Sequence, residues 1–195
     1  MLVVFEGIDG SGKGTQIDML RAYLQTLNTI PSIHKYPTAK AHVVHAHLKG
    51  EKTAAPEELF AEFAKDINAE QGMLHDELSK GKFVILDRYV FSTVAYQGGA
   101  LGYERARDAI KQIGYLHPDV VILLDISAEG SFARKSAQKT LDRFEEDRIF
   151  LEGVRSRYHQ MAEEDFLCPR WRTIDASAKK EEVSAKVKEC LLDIL

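Results

Sequence analysis

The chain has 195 residues, of which 45% are hydrophobic and 29% charged, and its formal net charge is −4. This length suits a single compact domain over residues 1–195, and the lack of a basic surplus argues against a nucleic acid or an anionic membrane as partner. No apolar run approaches the roughly 20 residues of a membrane span. The N-terminus lacks the basic region and cleavage site of a signal peptide. We therefore expect a cytoplasmic protein.

Apolar runs and helical patterns alternate along the chain. Three nearly continuous apolar runs, residues 2–5, 83–86 and 120–124, predict strands buried on both faces, as in a parallel sheet. Weaker strand candidates are residues 32–36 and 171–175. Helical spacing predicts helices over residues 13–27, 57–80, 147–164 and 179–194. In the second of these the apolar face would hold Leu59, Phe60, Phe63, Ile67 and Met73. The alternation predicts a doubly wound α/β fold with right-handed crossovers.

A glycine-rich segment joins the first strand to the first helix. Its residues are Gly7, Ile8, Asp9, Gly10, Ser11, Gly12, Lys13, Gly14 and Thr15. Such a segment turns backbone N–H groups towards phosphate oxygens, the helix adds its positive end, and Lys13 can reach the β- and γ-phosphates. Gly14 stands where the strict pattern has Ser or Thr, so Thr15 offers a magnesium-binding hydroxyl one position later. The sequence predicts a binding site for a nucleoside triphosphate.

Three further residues around this segment suggest phosphate chemistry. Asp87 and Arg88 follow a buried strand, where ligands of open parallel sheets bind. The Asp87 carboxylate could hold the water shell of Mg²⁺, and Arg88 offers a planar fork for a second phosphate. Asp9 lies inside the loop and would repel phosphate, so it either contacts a ligand or shapes the loop. The chain contains no guanine-reading Asn-Lys-x-Asp, which argues against a typical GTPase.

Four short segments together resemble the thymidylate kinase family. They are Phe5-Glu6-Gly7-Ile8-Asp9-Gly10, Asp87-Arg88-Tyr89, Ala95-Tyr96-Gln97-Gly98 and Asp142-Arg143-Phe144-Glu145, and the resemblance spans residues 3 to about 160. It implies a P-loop NTPase of three α/β/α layers with a five-stranded parallel sheet of order 2-3-1-4-5. It also implies a Mg²⁺-dependent transfer of the γ-phosphoryl of ATP to dTMP, giving dTDP and ADP, in a homodimer. The loop variant Lys13-Gly14-Thr15-Gln16 is more like adenylate kinase, another nucleoside monophosphate kinase.

Two alternatives remain open at this point. The first is a kinase of the same fold that acts on another nucleoside monophosphate or on a deoxynucleoside. The second is a non-catalytic nucleotide-binding module, because phosphate loops also occur in proteins without turnover.

The resemblance also implies roles for individual residues at the acceptor. Asp9 would contact the sugar 3′-hydroxyl or the magnesium hydration shell, and Phe60 would stack on the thymine ring. Tyr96 would pack where a ribose 2′-hydroxyl would lie, which favours deoxyribose. Thr93 and Gln97 are polar neighbours for the base edge.

The sequence departs from the family pattern at three places where an arginine is expected. Ala64 stands four residues after Phe60, in place of the base-reading arginine. The turn Tyr36-Pro37-Thr38 lacks the acceptor-phosphate arginine, for which Lys35 or Lys40 would substitute. Gly10 replaces an arginine of the loop, so the catalytic cation is expected from a lid over about residues 134–146. The lid candidates are Arg134, Lys135, Lys139 and Arg143, with Arg143 preferred.

A histidine cluster lies between the second strand and the second long helical pattern. It consists of His42, His45 and His47. Because zinc needs three or four converging ligands, we interpret this cluster as an exposed helix face.

Overall fold

The structure is a computed structural model that describes residues 1–135 and 148–192, with the backbone alone at residue 135. The elements in chain order are β1 (Leu2–Glu6), α1 (Lys13–Thr26), β2 (Ser32–Lys35), α2 (His42–Leu48), α3 (Pro56–Asn68), α4 (Gln71–Ser79), β3 (Val84–Asp87), α5 (Val90–Leu101), α6 (Tyr103–Ile113), β4 (Val120–Asp125), α7 (Ala128–Lys135), α8 (Arg148–Glu163), β5 (Trp171–Asp175) and α9 (Lys180–Leu192).

The five strands form one parallel sheet of order β2-β3-β1-β4-β5, which confirms the predicted fold class and strand order. Strand β1 lies at the centre, with Phe5 opposite Asp87 of β3 and Ile122 of β4. Lys35 of the edge strand β2 also lies opposite Asp87. The carboxyl ends of β2, β3 and β1 therefore meet at one edge, directly beside the segment that follows β1.

The central strands are buried on both faces, as their continuous apolar runs predict. Every residue of β1 and β3 is buried, and the sheet contributes most of its side chains to one apolar core. Aromatic rings extend this core towards β5, where Phe91 and Trp171 meet edge to face at 4.9 Å between centroids. Strand pairing and core packing together give the edge that carries the site a rigid support.

The helix predicted over residues 57–80 is in fact two helices, α3 and α4. The chain turns at Glu70, whose N–H bonds to the Ile67 carbonyl at 3.2 Å in a tighter turn. Beyond it, the Gln71 amide oxygen accepts hydrogen bonds from the Tyr89 hydroxyl and the Leu116 N–H. This break changes the helical phase, so Met73 is 39% exposed instead of facing the core.

Helices α5, α6 and α7 were not predicted. Helix α5 is buried over most of its length, so it lacks the one-sided apolar pattern that indicates a surface helix.

No described helix is long and apolar enough to cross a membrane. Most of the predicted lid, residues 136–147, lies outside the described residues, and the single-domain prediction stays a prediction.

Candidate active site

The phosphate loop, residues 7–15, depends on glycine at three positions. Gly7, Gly10 and Gly12 have φ values of 139°, 81° and 95°, which L side chains rarely adopt. At Gly7 an added Cβ would also lie 2.5 Å from the Leu124 carbonyl oxygen of β4. The loop therefore requires close contact with the sheet, and its last residues, 13–15, form the first turn of α1 after Gly12.

Lys13 is buried within its own loop. Its Nζ donates hydrogen bonds to the carbonyl oxygens of Gly7 at 2.9 Å and Ile8 at 3.1 Å. Burial, with repulsion from the nearby Arg88, lowers the pKa of Lys13 to about 8. A phosphate group beside Nζ would stabilise the charged form of Lys13, as expected for a loop that binds an anion.

The loop opens into a cavity of about 760 Å³. Its lining residues are Asp9, Gly10, Ser11, Gly12, Lys13, Gly14, Thr15, Gln16, Lys35, Asp87, Arg88, Arg134, Ala176, Ala178, Lys180 and Val183. The volume lies in the range of small-molecule sites. Most of the polar and charged lining residues come from the phosphate loop, the ends of β2 and β3 and α7, whereas the chain after β5 contributes Ala176, Ala178, Lys180 and Val183. We call this the donor cavity.

Asp87 lies at the end of β3 with its carboxylate directed to this edge of the sheet. Its buried Oδ1 has no hydrogen-bond partner among the described residues, and its Oδ2 lies 3.3 Å from Lys35 Nζ. Among those residues no group of three or more His, Cys, Asp or Glu could hold a metal ion. Mg²⁺ with a nucleotide typically needs one or two carboxylates, phosphates and water, and Asp87 with the exposed Thr15 hydroxyl in the same cavity fits that requirement.

Arg88 is the centre of the site. Its backbone adopts φ 72°, an uncommon left-handed conformation for a non-glycine residue. The guanidinium forms an ion pair with Asp9, donates to the Ser92 hydroxyl at 3.0 Å, and lies 5.1 Å from the centre of the Tyr96 ring. Burial opposes its charge, but the Asp9 carboxylate prevails and holds the pKa of Arg88 well above its ordinary value.

This ion pair explains the acidic residue in the phosphate loop. Asp9 pairs with Arg88 through Oδ1, and its Oδ2 accepts a hydrogen bond from the Tyr96 hydroxyl at 3.3 Å. Because its charge is compensated, Asp9 can lie beside a phosphate site without strong repulsion. It also keeps the Arg88 fork in place.

Glu6 supports Arg88 from inside the core and was not identified from the sequence as functional. Its fully buried carboxylate accepts hydrogen bonds from the backbone N–H groups of Tyr89 at 2.8 Å and Ser92 at 3.2 Å. Its second oxygen accepts from the Ser92 hydroxyl at 2.7 Å and the Tyr158 hydroxyl at 2.8 Å. The carboxylate thereby caps the N-terminus of α5 and fixes the backbone next to Arg88.

A second cavity, of about 260 Å³, adjoins the first. Its lining residues are Asp9, Lys35, Tyr36, Pro37, His45, Leu48, Phe63, Arg88, Ser92, Tyr96 and Gln97. We call it the acceptor cavity. Asp9, Lys35 and Arg88 line both cavities, so charged groups stand where the two meet.

The aromatic residue of α3 that lines the acceptor cavity is Phe63. Phe60 does not line it and packs against the main core instead. Counted from Phe63, the position four residues later is Ile67, which is 1% exposed in the core, and Ala64 is buried too. Neither α3 position offers an arginine to the acceptor.

The remaining predicted acceptor residues lie on or near this cavity. Tyr36, Tyr96 and Gln97 line it, whereas Thr93 is buried behind it with a hydroxyl that has no hydrogen-bond partner in the described part of the chain. Thr38 is held by Asp66, which accepts from its N–H at 2.8 Å and from its hydroxyl at 2.5 Å.

The interpretation of the histidine cluster as an exposed helix face is wrong for two of its members. His47 is buried, and its Nδ1 accepts a hydrogen bond from the Ala54 N–H at 3.1 Å. His45 is half-buried and lines the acceptor cavity. Helix α2 lies against the cavity because the packed fold places the sheet edge and α3 beside it. No local sequence pattern around these histidines indicates that contact.

The cations that the sequence suggests for the acceptor phosphate and for the lid differ in whether they line a cavity. Both lysines are exposed, but Lys35 lines both cavities, whereas Lys40 lines neither and pairs weakly with Glu70 at 4.0 Å. Arg134 of α7 lines the donor cavity and donates to carbonyl oxygens of the phosphate loop and of the chain after β5. Arg143 and Lys139 lie outside the described residues, as does the Lys135 side chain.

A parallel sheet of this order, a phosphate loop after β1 and two cavities that meet at shared charged residues define a P-loop phosphotransferase of the nucleoside monophosphate kinase class. The family model for thymidylate kinase matches residues 5–187. The chain belongs to the thymidylate kinase family.

Three relatives named thymidylate kinase illustrate the degree of similarity, and this chain is covered completely in each comparison. Those of Pseudomonas savastanoi pv. phaseolicola and Pseudomonas syringae pv. tomato are each 31% identical, with 96% of the relative covered. That of Pseudomonas putida is 33% identical, with 98% covered. The similarity therefore extends over the whole described fold.

Proposed function

We propose that this protein transfers the γ-phosphoryl group of ATP to dTMP and releases ADP and dTDP. Membership of the thymidylate kinase family supports the reaction. The observation that carries the proposal is the junction of two cavities at Arg88, because a phosphoryl transfer between two nucleotides needs a donor and an acceptor site that share one charged centre.

The donor cavity would hold ATP with its phosphates on the loop. Backbone N–H groups of the loop and the positive end of α1 face the same space as Lys13. Asp87 and Thr15 would hold Mg²⁺, through water where needed, and the ion would offset the charge of the phosphates. The base of ATP would lie against the small and apolar residues after β5 that line the donor cavity.

The reaction itself needs positioning more than proton transfer. A phosphate oxygen of dTMP forms the new bond to the γ-phosphorus of ATP while the bond to the β–γ bridging oxygen breaks and ADP leaves with that electron pair. The dianionic acceptor is already a nucleophile, so no general base is needed. Arg88 and Lys35 would bring the two anions together and offset their repulsion.

The deoxynucleoside would lie in the acceptor cavity. Phe63 is placed to stack on the pyrimidine, which contributes about 1–3 kcal/mol for a base on an aromatic ring. Tyr96 would fill the space of a ribose 2′-hydroxyl, and Asp9 would contact the 3′-hydroxyl. Phe60 keeps its predicted role only if α3 moves when the acceptor binds.

Arg143 remains our preferred lid cation, and a homodimer remains the expected assembly.

An acceptor panel tests this function. The purified protein is incubated with Mg-ATP and, separately, dTMP, dUMP, CMP, dGMP and thymidine, and ADP formation is followed. We expect the highest kcat/KM with dTMP. Turnover of thymidine alone would identify a deoxynucleoside kinase, and ATP binding without turnover on any acceptor would identify a non-catalytic module.

Lys35 is predicted to replace the missing acceptor-phosphate arginine. Lys35→Ala should raise the KM for dTMP by about tenfold, as expected for a lost charge-assisted hydrogen bond, while the KM for ATP changes less. Lys40→Ala is the matched control, because Lys40 is exposed like Lys35 but lines neither cavity. Equal effects of the two substitutions on the KM for dTMP would remove Lys35 from this role.

A further inference from the structure

The acceptor cavity contains polar groups that no protein partner satisfies. Gln97 is 5% exposed, lines the cavity, and its carboxamide makes no hydrogen bond within residues 1–135 and 148–192. The buried Tyr36 hydroxyl also lacks a partner there. Leaving a buried hydroxyl such as that of Tyr36 unpaired is costly, and the Gln97 carboxamide reaches the space of the cavity, so both indicate a ligand with polar edges.

His45 supplies a third polar group and has a defined tautomer. Its Nε2 lies 2.8 Å from the carbonyl oxygen of Thr38. A carbonyl can only accept, so Nε2 carries the hydrogen, and in the neutral ring Nδ1 is left with a lone pair. In that neutral form the remaining edge of this cavity-lining ring is a hydrogen-bond acceptor.

The ring is also held firmly. Thr38, whose carbonyl accepts from His45, is itself fixed, because the buried Asp66 accepts hydrogen bonds from its N–H and its hydroxyl. His45 lies on α2 one turn before Leu48, which lines the same cavity, and Phe63 faces it from α3. An orientated acceptor and an aromatic ring available for stacking therefore line the same cavity.

We propose that His45 selects the base of the acceptor nucleotide by accepting a hydrogen bond at Nδ1 from a pyrimidine ring N–H. The Gln97 carboxamide would donate to a neighbouring base carbonyl. This inference rests on the proposed function and names the group that reads the base where α3 offers Ala64 and Ile67 in place of an arginine.

The chemistry of the bases makes this a selection between oxo and amino pyrimidines. Thymine and uracil present an N3–H donor next to carbonyl acceptors, whereas cytosine presents a bare N3 next to an amino group. With cytosine, the N3 lone pair would face the Nδ1 lone pair, and one buried hydrogen bond would be replaced by repulsion. A site built around a hydrogen bond rejects a ligand that cannot form it.

Two substitutions separate base selection from a structural role of His45. In His45→Asn the amide oxygen takes the position of Nδ1, so the acceptor is kept and the bond to Thr38 is lost. In His45→Gln the amide nitrogen takes the position of Nε2, so the bond to Thr38 is kept and the acceptor is lost. His42→Ala on the exposed face of the same helix is the matched control.

The measurement is kcat/KM for dTMP and for dCMP at about pH 8, where free imidazole is neutral. We expect His45→Gln to lower the dTMP-to-dCMP ratio by about tenfold or more, and His45→Asn to preserve most of it, as does His42→Ala. The inference would be overturned by an unchanged dTMP-to-dCMP ratio in His45→Gln, or by loss of that ratio in His45→Asn alone. In either case dTMP turnover by the wild type would still support the proposed function. Absence of dTMP turnover by the wild type would overturn both.

Discussion

At the scale of single residues, the site is defined by charges that compensate each other before any substrate binds. Asp9 and Arg88 form an ion pair at the junction of the cavities, and Asp87 pairs with the more exposed Lys35. Phosphate groups and Mg²⁺ would take over some of these partners. The local sequence predicted Asp9, Asp87 and Arg88 because they lie in or shortly after the buried strands β1 and β3, where position along the chain fixes position in space.

The pKa of Lys13 leads to a prediction about ATP binding. In the ligand-free protein burial lowers this pKa to about 8, and ATP phosphates should raise it. Above about pH 8 the ligand-free amine is largely neutral, so ATP binding should take up a proton and the affinity should fall as the pH rises. Calorimetric titration at pH 8.5 in two buffers of different ionisation enthalpy measures this uptake.

The same titration at pH 7 is the control, because Lys13 is then already charged and little uptake through it is expected. Equal proton uptake at both pH values, or none at pH 8.5, would show that phosphate binding does not change the protonation of Lys13.

At the scale of secondary-structure elements, α5 connects the core to the acceptor cavity. Its N-terminus is capped by Glu6 of β1, and its residues Tyr96 and Gln97 line the cavity. The left-handed backbone of Arg88 lies directly before this cap. Since such a conformation costs of the order of 1–2 kcal/mol, the cap and the ion pair with Asp9 must maintain it.

Glu6→Gln tests this cap. Glutamine has a similar volume but leaves one acceptor fewer for the hydrogen bonds at α5, so we expect the free energy of unfolding to fall by about 1–3 kcal/mol. We also expect kcat/KM for dTMP to fall more than the affinity for ATP, because Arg88 loses its support. Urea unfolding and steady-state kinetics measure the two effects. Glu57→Gln on the exposed side of α3 should leave both nearly unchanged, and an equally stable Glu6→Gln would contradict the cap.

The elements also show which parts of the fold could be predicted from sequence. The central strands were recognisable because strands buried on both faces are continuous apolar runs. Helix α5 was not, because a buried helix has no polar face. The break between α3 and α4 was missed because two groups distant in sequence, the Tyr89 hydroxyl and the Leu116 N–H, hold Gln71 there.

The candidate site divides in the same way. The phosphate loop and Asp87-Arg88 follow from local sequence. Phe63, His45 and Glu6 do not, because their roles depend on which helix face or strand end the packed fold brings against a cavity.

At the scale of the whole molecule, the parallel sheet brings the carboxyl ends of β1, β2 and β3 to one edge, and both cavities open there. Helices α2, α3 and α5 contribute side chains to the acceptor cavity, and the loop, α7 and the start of α9 surround the donor cavity. The arrangement accounts for one protein that binds two anionic nucleotides and transfers a phosphoryl group between them.

The most direct test of this account follows the phosphoryl group itself. The wild-type protein is mixed with Mg²⁺, ATP labelled with ³²P at the γ-position, and dTMP, and the products are separated. We predict that the label appears in dTDP in step with ADP formation. Label released as inorganic phosphate at the same rate with or without dTMP, or no transfer to dTMP while another acceptor becomes labelled, would contradict it.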